Sequence, residues 1–481
     1  MINFRAIINI LSALLLFLAI SLTFPAVIAY FYDEGDFNSF IFTIILTFIL
    51  GLAGFFTSRT KTELKIKDGF LIVTFGWILF AAFGALPFRI SGFIPSYTDA
   101  FFETMSGFST TGASILTNIE VLPHGLLFWR SLTHWLGGMG IILLSLAILP
   151  LLGVGGMQLF KAEVPGPTPD KLSPRIKHTA ELLWGVYVLL SIIEASLLMV
   201  AGMNWFDALC HTFGTMATGG FSTKNASIGH YNSAMIDYII IIFMILAGTN
   251  FSLHYRALKK KPFIYWKDPE AMFFIGIIVF ATIAIGLNVW IHTGNNLTLT
   301  VRHSLFQVVS ILTTTGYGTA NYELWSSTSQ MILFVLMFMG GCAGSTGGGM
   351  KIIRSLILIK FGLNELKRLI HPQAILPVRI GNSVIPREIV TNIAGFFMFY
   401  IALFVSGVLF MSELGLTLDT AMGSVAATIG NIGPGLGDVG PSDNYAFIPD
   451  IGKWFLSFLM LVGRLEIYTV LIIFTPAFWK K

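Results

Sequence analysis

The sequence predicts an all-α membrane protein with ten transmembrane helices and four shorter segments that enter the membrane without crossing it. Three observations predict this class: the apolar composition, the length of the apolar runs and a polar pattern that occurs four times. Of the 481 residues, 55% are hydrophobic and only 11% are charged, whereas a soluble domain has roughly 25% charged residues. The composition therefore leaves no room for a sizeable soluble domain.

Ten apolar segments are long enough to cross a bilayer. They lie near residues 7–31, 39–57, 70–91, 126–150, 180–202, 234–256, 271–292, 328–360, 390–412 and 450–476. The first follows Arg5 and contains AVIA, so a cleaved signal peptide is the alternative to a retained helix. Its length and the second apolar run that follows favour a retained helix.

Four shorter, half-apolar segments lie near 97–108, 204–216, 302–312 and 417–427. At ~1.5 Å per residue they are too short to cross a ~30 Å core, so we expect re-entrant or surface helices. Basic residues cluster in alternate loops, which predicts cytoplasmic termini and places the four short segments outside. These residues are Arg59, Lys61, Lys65, Lys67, Lys161, Lys171, Arg175, Lys177, Arg256, Lys259, Lys260, Lys261, Lys267, Lys360, Lys367, Arg368, Arg379, Arg387, Lys480 and Lys481.

Each short segment ends in threonine and glycine, which reveals an internal repeat. The four endings are STTGAS (109–114), MATGGFS (216–222), TTTGYG (313–318) and ATIGNIGPG (427–435). Aligned on the first glycine after threonine, the matching positions are Gly112, Gly219, Gly316 and Gly430. We therefore divide the chain into two leading helices (1–67) and four helix–loop–helix repeats (68–175, 176–267, 268–385 and 386–481).

Non-helical backbone at membrane depth is tolerated only inside protein or along a water-filled cavity. Four such loops around a pseudo-fourfold axis would line a central pore, and their carbonyl oxygens could replace the water shell of a cation. A single threonine–glycine pair is more often a turn or a packing site, whereas four in register favour a pore. The candidate pore residues are Thr110, Thr111, Gly112, Thr218, Gly219, Gly220, Thr314, Thr315, Gly316, Tyr317, Thr428, Ile429, Gly430 and Asn431.

A second glycine-rich stretch, GGCAGSTGGG (340–349), lies inside the apolar segment 328–360. Because each glycine costs up to ~1 kcal/mol in a helix interior, we expect a loop between two half-helices below the pore loops. The alternatives are close helix packing through small residues and a phosphate-binding loop, whose pattern is not met. The candidate gate residues are Gly340, Gly341, Gly344, Ser345, Thr346, Gly347, Gly348, Gly349 and Arg464, the last a cation within an apolar segment.

Other charged residues have weaker interpretations. Lys351 and Arg354 are expected where the broken helix reaches the cytoplasm, as membrane anchors or as contacts for a regulatory subunit. Asp99, Asp207 and Asp419 precede the aligned glycines by 11–13 residues and are interpreted as helix caps rather than ion ligands. Glu103 and Glu323 could concentrate cations near the outer mouth.

The four loops, the four repeats and the two leading helices resemble the Trk/Ktr/HKT superfamily of potassium transporters, most closely its TrkH-type subunits, over essentially the whole chain. The resemblance implies that the four loops form one potassium selectivity filter. Glycine at position 112 accompanies potassium selectivity in the family, and serine there accompanies sodium passage in plant relatives. Only TTTGYG has the T-x-G-Y-G form of potassium channels, which implies an asymmetric filter.

The resemblance also implies that the glycine-rich loop is an intramembrane gate, and that Arg464 lines the pore as an electrostatic barrier. A structural arginine bonding loop carbonyls is compatible with that role. The resemblance further implies a homodimer in the bacterial inner membrane that assembles on a cytosolic ring of nucleotide-binding TrkA-type subunits. The expected function is potassium uptake without enzymatic activity, a bound cofactor or nucleic acid; the alternative is a proton- or sodium-coupled symporter.

Two rival classes remain open at the level of sequence. An alternating-access carrier with broken helices usually contains inverted repeats, whereas the repeats here run parallel with every short segment on one side. A membrane enzyme or an assembly scaffold would give no cation flux from the purified protein.

Overall fold

Long helices dominate the computed structural model, which describes residues 2–60, 64–151, 176–259, 262–294 and 296–480. Some basic residues used to predict the orientation lie outside these ranges: Lys61, Lys161, Lys171, Arg175, Lys260, Lys261 and Lys481. Six described helices are long and apolar enough to cross a membrane, and eight spans result if two bent pairs each count as one. The protein is a helical membrane protein, and the total of ten transmembrane helices stays a prediction.

The described residues form the following elements, in chain order: α1 (Phe4–Ser21), α2 (Thr23–Tyr32), α3 (Phe37–Thr57), α4 (Ile66–Gly84), α5 (Leu86–Ile90), α6 (Tyr97–Phe108), α7 (His124–Leu151), α8 (Ile176–Val200), α9 (Trp205–Met216), α10 (Ala234–Ala247), α11 (Phe251–Leu258), α12 (Pro269–Thr293), α13 (Leu297–Leu312), α14 (Ser327–Met337), α15 (Ile352–Ile370), β1 (Arg379–Ile380), β2 (Ser383–Val384), α16 (Arg387–Glu413), α17 (Leu418–Ile429), α18 (Asp450–Arg464), α19 (Tyr468–Leu471) and α20 (Pro476–Trp479). The two strands pair antiparallel, with Arg379 opposite Val384.

The four predicted short segments are the helices α6, α9, α13 and α17, of 12, 12, 16 and 12 residues. At ~1.5 Å per residue their lengths fall short of a ~30 Å hydrocarbon core. Each begins with a side-chain cap that accepts a backbone N–H, and the caps are Ser96, Asn204, Asn296 and Thr417. The prediction that Asp99, Asp207 and Asp419 cap these helices is therefore wrong; the three acids lie within the first turn.

Two segments predicted as continuous helices are sharply bent. The segment 234–256 is bent by 102° between α10 and α11, where Asn250 caps the new helix by accepting from the backbone N–H of Ser252. The segment 450–476 is bent by 111° after α18. Glu466 and Ile467 have positive φ there. The helix ends at this point because a right-handed helix requires a φ of about −60°.

The buried core follows the repeats. One large cluster joins the leading helices to repeats one and four, and a second joins repeats two and three. Many large apolar side chains outside these clusters are exposed, as expected for a surface that faces lipid. Together, the four short helices contribute buried residues to both clusters and are therefore part of the packed core.

Candidate functional site

Each short helix leads into a turn of the same backbone shape. The helices end at Phe108, Met216, Leu312 and Ile429. Two residues later the backbone is left-handed at a non-glycine residue: Thr110 (φ +54°), Thr218 (+55°), Thr314 (+60°) and Asn431 (+53°). After two more residues comes a glycine with positive φ: Gly112 (+81°), Gly220 (+78°), Gly316 (+82°) and Gly433 (+99°). Backbone conformations of this kind are typical of functional sites.

The hydrogen bonds give the same register. The residue before each of these glycines donates its N–H to the carbonyl five residues earlier. The four bonds are Thr111 to Ser106 (2.9 Å), Gly219 to Gly214 (2.8 Å), Thr315 to Ser310 (2.8 Å) and Ile432 to Ala427 (2.8 Å). Gly112, Gly220, Gly316 and Gly433 are therefore equivalent, and we call them the ring glycines.

This register corrects the sequence alignment in two of the four repeats. The predicted matches Gly219 and Gly430 are displaced from Gly220 and Gly433 by one and three residues. Thr428 and Ile429 belong to the last turn of α17, and Gly430 is its C-cap. The sequence analysis missed Ile432 and Gly433. The missed signal is a small residue two positions after each ring glycine: Ser114, Ser222, Gly318 and Gly435.

The ring glycines bring the four segments together in a closed cycle. A Cβ added to any of them would crowd a carbonyl oxygen of the next segment: Gly112 meets Gly219, Gly220 meets Thr315, Gly316 meets Ile432 and Gly433 meets Thr111. The order runs one, two, three, four and back to one. Four segments in contact in this order surround a common axis, so the structure brings the predicted loops into one site.

Side chains fix the segments to one another. Asn431 donates from Nδ2 to Thr111 Oγ1 (2.9 Å), which joins the fourth segment to the first. The Tyr317 hydroxyl donates to the carbonyl of His211 (2.9 Å), which joins the third segment to α9. Tyr445 and Tyr322 donate to the carbonyls of Gly433 (2.7 Å) and Gly435 (2.6 Å).

The chemistry of this ring suits a cation. The four segments are rich in backbone carbonyls, which can replace the water ligands of an alkali ion. Each segment follows the C-terminal end of a short helix, where the helix dipole is negative. The buried threonines Thr110, Thr111, Thr314 and Thr315 add hydroxyl oxygens to the segments without adding charge.

The predicted break in the segment 328–360 is present. α14 ends at Met337 and α15 begins at Ile352, with the glycine-rich segment Gly340–Gly349 between them. The segment closes on itself through a bridge between Gly340 and Gly349. Gly344 (φ +74°) and Gly349 (+66°) have left-handed backbones, which a residue with a side chain would strain.

This glycine-rich segment packs against the C-terminal ends of three short helices. Thr346 Oγ1 donates to the carbonyl of Met216 (3.0 Å), at the end of α9. The N–H of Gly348 donates to Thr314 Oγ1 (2.7 Å), just after α13. A Cβ at Gly348 would also lie 2.6 Å from the carbonyl oxygen of Gly430, at the end of α17. The segment therefore lies across one end of the four-segment ring.

Arg464 completes that end of the ring. It is only 3% exposed and is the last residue of α18 rather than the middle of a straight helix. Its guanidinium donates to the carbonyls of Thr346 (2.7 Å) and Gly137 (3.3 Å). Gly137 packs against the carbonyl of Phe108 at the end of α6, the fourth short helix. A buried positive charge thus lies beside the glycine-rich segment.

The prediction that Lys351 and Arg354 are accessible anchors or partner contacts is wrong, because both side chains are buried. Lys351 donates from Nζ to the carbonyl of Gly347. Arg354 forms an ion pair with Glu466, which lies in the bend after α18. Unpaired charges are costly in an apolar interior. The two acceptors reduce this cost and allow both basic side chains to be buried.

Glu270 has a place in the same network that the sequence did not reveal. It lies in the first turn of α12, and its Oε1 accepts the N–H of Ala343 (2.7 Å) within the glycine-rich segment. An acid in the first turn of a helix has no distinctive sequence signal, because this is an ordinary position for one.

The two acids predicted to attract cations differ. Glu103 does not line an accessible mouth: it is 1% exposed, and its Oε1 pairs with Arg130 Nε at 2.6 Å. Glu323 is half-buried beside Gly440. Burial raises the pKa of Glu323, and the negative charge of Asp443 raises it further.

The raised pKa of Glu323 predicts how the stability of the folded protein changes with pH. A carboxyl with a raised pKa binds its proton more tightly in the folded chain, so the folded state loses stability as pH rises through that pKa. Replacing Glu323 by glutamine is expected to reduce this loss and raise the melting temperature slightly at pH 8, with little change at pH 4. Thermal unfolding in detergent at both pH values measures this, and an equal shift at both would contradict it.

Comparisons with known proteins agree with the resemblance seen in the sequence. The profile of the TrkH cation transport protein family matches residues 35–481. The chain is 43% identical to the Trk system potassium uptake protein TrkH of Escherichia coli K12 and 42% identical to that of Vibrio parahaemolyticus, each over the full length of both chains. It superposes on the crystal structure of the potassium transporter TrkH from Vibrio parahaemolyticus with a TM-score of 0.91, at 41% identity over all of both chains.

Proposed function

The chain belongs to the TrkH family of cation transport proteins, and from that premise we propose that it takes up potassium through a channel-like pore formed by a single chain. The observation that carries this proposal is the closed cycle of the ring glycines and the carbonyls they face. A carbonyl-lined ring built from one chain supplies uncharged oxygen ligands to a weakly hydrated monovalent cation. The family consists of transport proteins, and no enzymatic reaction is proposed.

The selectivity filter is formed by the four segments in the register of the ring glycines. Potassium is the transported ion and not a resident cofactor. In order around the axis, the four segments contribute Thr110, Thr111 and Gly112; Thr218, Gly219 and Gly220; Thr314, Thr315 and Gly316; and Asn431, Ile432 and Gly433. Asn431 and Ile432 stand where the other segments have small or hydroxyl-bearing residues. This asymmetry supports a filter that discriminates less strictly than one made of four identical loops.

The glycine-rich segment and Arg464 form the gate. Their hydrogen bonds to the ends of the short helices support this role, since a segment in that position obstructs passage below the ring. Opening requires the segment to move away from Thr314 and Met216. The buried guanidinium of Arg464 repels cations that enter from the ring. Because this charge and the glycine-rich segment both obstruct the passage, the described arrangement is the closed state.

The repeats, the assembly and the location follow from the same proposal. Four repeats (68–175, 176–267, 268–385 and 386–481) and two leading helices build ten spans in the inner membrane, with both termini cytoplasmic and lipid around the outer helices. The described basic residues Arg59, Arg256, Lys259, Lys360 and Arg387 support this orientation. A homodimer on a nucleotide-binding TrkA-type ring is the proposed assembly, supported by the relatives' description as parts of a Trk system.

The contact between Glu270 and Ala343 gives a prediction for the gate. Glu270→Ala removes the acceptor for a buried N–H of the glycine-rich segment, at a cost of roughly 1–3 kcal/mol to the closed state. We expect basal potassium flux to rise several-fold, while Glu270→Gln, which keeps an oxygen acceptor, should behave closer to the wild type. Flux into liposomes without a partner subunit measures the difference, and equal flux for the alanine variant and the wild type would contradict it.

Uptake of radioactive rubidium by liposomes that contain the purified protein tests the proposed function. We expect uptake driven by a potassium gradient, strong competition by potassium and weak competition by sodium. Imposing a proton or sodium gradient without a potassium gradient separates passive flux from the coupled alternative. Absence of uptake in liposomes, with the protein folded, would contradict the proposal.

A further inference from the structure

A buried ion pair joins the first and second segments of the ring. Glu103 lies on α6 and Arg130 on α7, and their side chains are 0% and 3% exposed. Arg130 Nε donates to Glu103 Oε1 at 2.6 Å. An ion pair in the interior is costly unless further hydrogen bonds satisfy it, so the other contacts of the two side chains are informative.

Glu103 binds the residues that directly follow the first segment of the ring. Its Oε1 also accepts from the hydroxyl of Ser114 (2.9 Å), and its Oε2 accepts the backbone N–H of Ile115 (3.0 Å). These residues follow the ring glycine Gly112 by two and three positions. Three donors therefore converge on the two oxygens of one carboxylate, immediately after the ring.

Arg130 holds the second segment. Its NH1 donates to the carbonyl of Ser222 (2.8 Å), and its guanidinium lies 3.5 Å from the ring centroid of Phe221. Phe221 directly follows the ring glycine Gly220 and stacks on His134 with centroids 4.0 Å apart. The guanidinium and the imidazole thus contact the aromatic ring next to Gly220.

The pair is particular to the first repeat. The positions equivalent to Glu103, nine residues before the other ring glycines, are His211, Gln307 and Ser424. His211 Nε2 bonds Ser222 Oγ (2.8 Å), and Gln307 Nε2 donates to the carbonyl of Ala320 (3.1 Å). These contacts stay within their own repeats, whereas Glu103 and Arg130 connect two neighbouring segments.

We propose that Glu103 and Arg130 are positioning residues for selectivity: they fix the spacing between the first and second segments and thereby set the preference for potassium over sodium. The inference rests on the proposed function, because it assigns a role within that filter. The physical basis is that the discrimination between ions depends on the size of the cavity and on the number and dipole strength of its carbonyl ligands, and the size and number change with the relative position of the two segments. Neither residue needs to touch the ion.

The carboxylate chemistry predicts the effect of a near-isosteric change. In Glu103→Gln the side chain keeps one acceptor oxygen, and its amide would point N–H groups at donors. At least one of Arg130, Ser114 and Ile115 then loses its acceptor. We expect the potassium-to-sodium permeability ratio to fall about tenfold, the factor that corresponds to one lost charge-assisted hydrogen bond.

Asp99→Asn is the matched control. Asp99 lies one helical turn before Glu103 on α6 and is also in an ion pair between repeats, with Lys453 at 2.6 Å. That pair lies at the start of the helix and away from the ring glycines. Its loss is expected to leave the permeability ratio unchanged, whatever it does to stability.

The experiment measures the ratio of potassium to sodium flux in liposomes for the wild type and the two variants. The ratio does not depend on how much protein is folded, so a merely structural role would not change it. A lower ratio in Glu103→Gln alone supports the proposal; an unchanged ratio, or an equal fall in Asp99→Asn, overturns it. If Glu103→Gln does not fold, Arg130→Lys, which keeps the charge but cannot reach both Glu103 and Ser222, is judged by the same criteria. A wild type without potassium flux contradicts the proposed function itself and is recognised before any variant is compared.

Discussion

Gly316→Ala is expected to reduce potassium uptake strongly. A Cβ at this position would overlap the carbonyl oxygen of Ile432 in the neighbouring segment, and the backbone φ of +82° is unfavourable for alanine. Left-handed strain and overpacking together cost at least about 2 kcal/mol. Because the ring is closed by four such contacts, a backbone shift that relieves the overlap at one contact also displaces the carbonyls around it. Rubidium uptake into liposomes should fall by more than about tenfold.

The matched control is Gly276→Ala in the transmembrane helix α12. A Cβ at Gly276 would meet nothing within 4 Å, and alanine stabilises a helix relative to glycine by up to ~1 kcal/mol. Uptake by this variant should equal that of the wild type. If Gly316→Ala kept full uptake and selectivity, the proposed place of Gly316 in the filter would be wrong.

Arg464→Ala is expected to increase potassium flux in the absence of a partner subunit. The change removes a buried charge and its bonds to the carbonyls of Thr346 and Gly137. Each hydrogen bond to a charged donor contributes roughly 1.5–3 kcal/mol, and the loss of even one destabilises the closed state enough for a rise in basal flux of at least about tenfold. Voltage-clamped bilayers or liposomes with an imposed potential measure the flux.

Arg464→Lys should give a smaller increase, because an ammonium keeps the charge but lacks the fork that reaches both carbonyls. Arg368→Ala is the control, since Arg368 is a half-exposed arginine of α15 that pairs with Glu365 in the same helix. Unchanged flux for Arg464→Ala at every membrane potential would exclude a gating role.

Much of the fold could be predicted from lengths and composition alone. The predicted segment 97–108 has the same bounds as α6, because its length and capping residues are local properties. α13 begins at Leu297, five residues before the predicted start of 302, where Asn296 caps the helix. The first residues, LTLT, alternate apolar and polar side chains, so they lack the helical periodicity that would mark a helix start. The bend after Arg464 was missed, since its left-handed residues Glu466 and Ile467 are not glycine.

The site was predicted less completely, for identifiable physical reasons. The threonine–glycine pair locates the end of each short helix but does not fix the register of the turn. In the fourth repeat the helix continues through Thr428 and Ile429, so the first glycine is a cap and the third residue after it, Gly433, enters the ring.

Side-chain partners were the hardest features to predict. Glu103 and Arg130 are 27 residues apart, and Arg354 and Glu466 are 112 apart. From charge alone, Glu103 was predicted to lie near the outer mouth of the pore, and Arg354 was predicted to lie at the cytoplasmic membrane surface. Both predictions were wrong, because the pairing that allows these charges to be buried depends on tertiary structure.

In the proposed pore, a single chain binds potassium on the axis of the four ring segments. Anomalous X-ray diffraction from crystals soaked in rubidium or thallium tests it most directly, since both ions replace potassium and scatter anomalously. We expect peaks on the axis at ligand distance from carbonyls of Thr111, Gly219, Thr315 and Ile432. Peaks only elsewhere, or none on this axis in crystals of active protein, would contradict it.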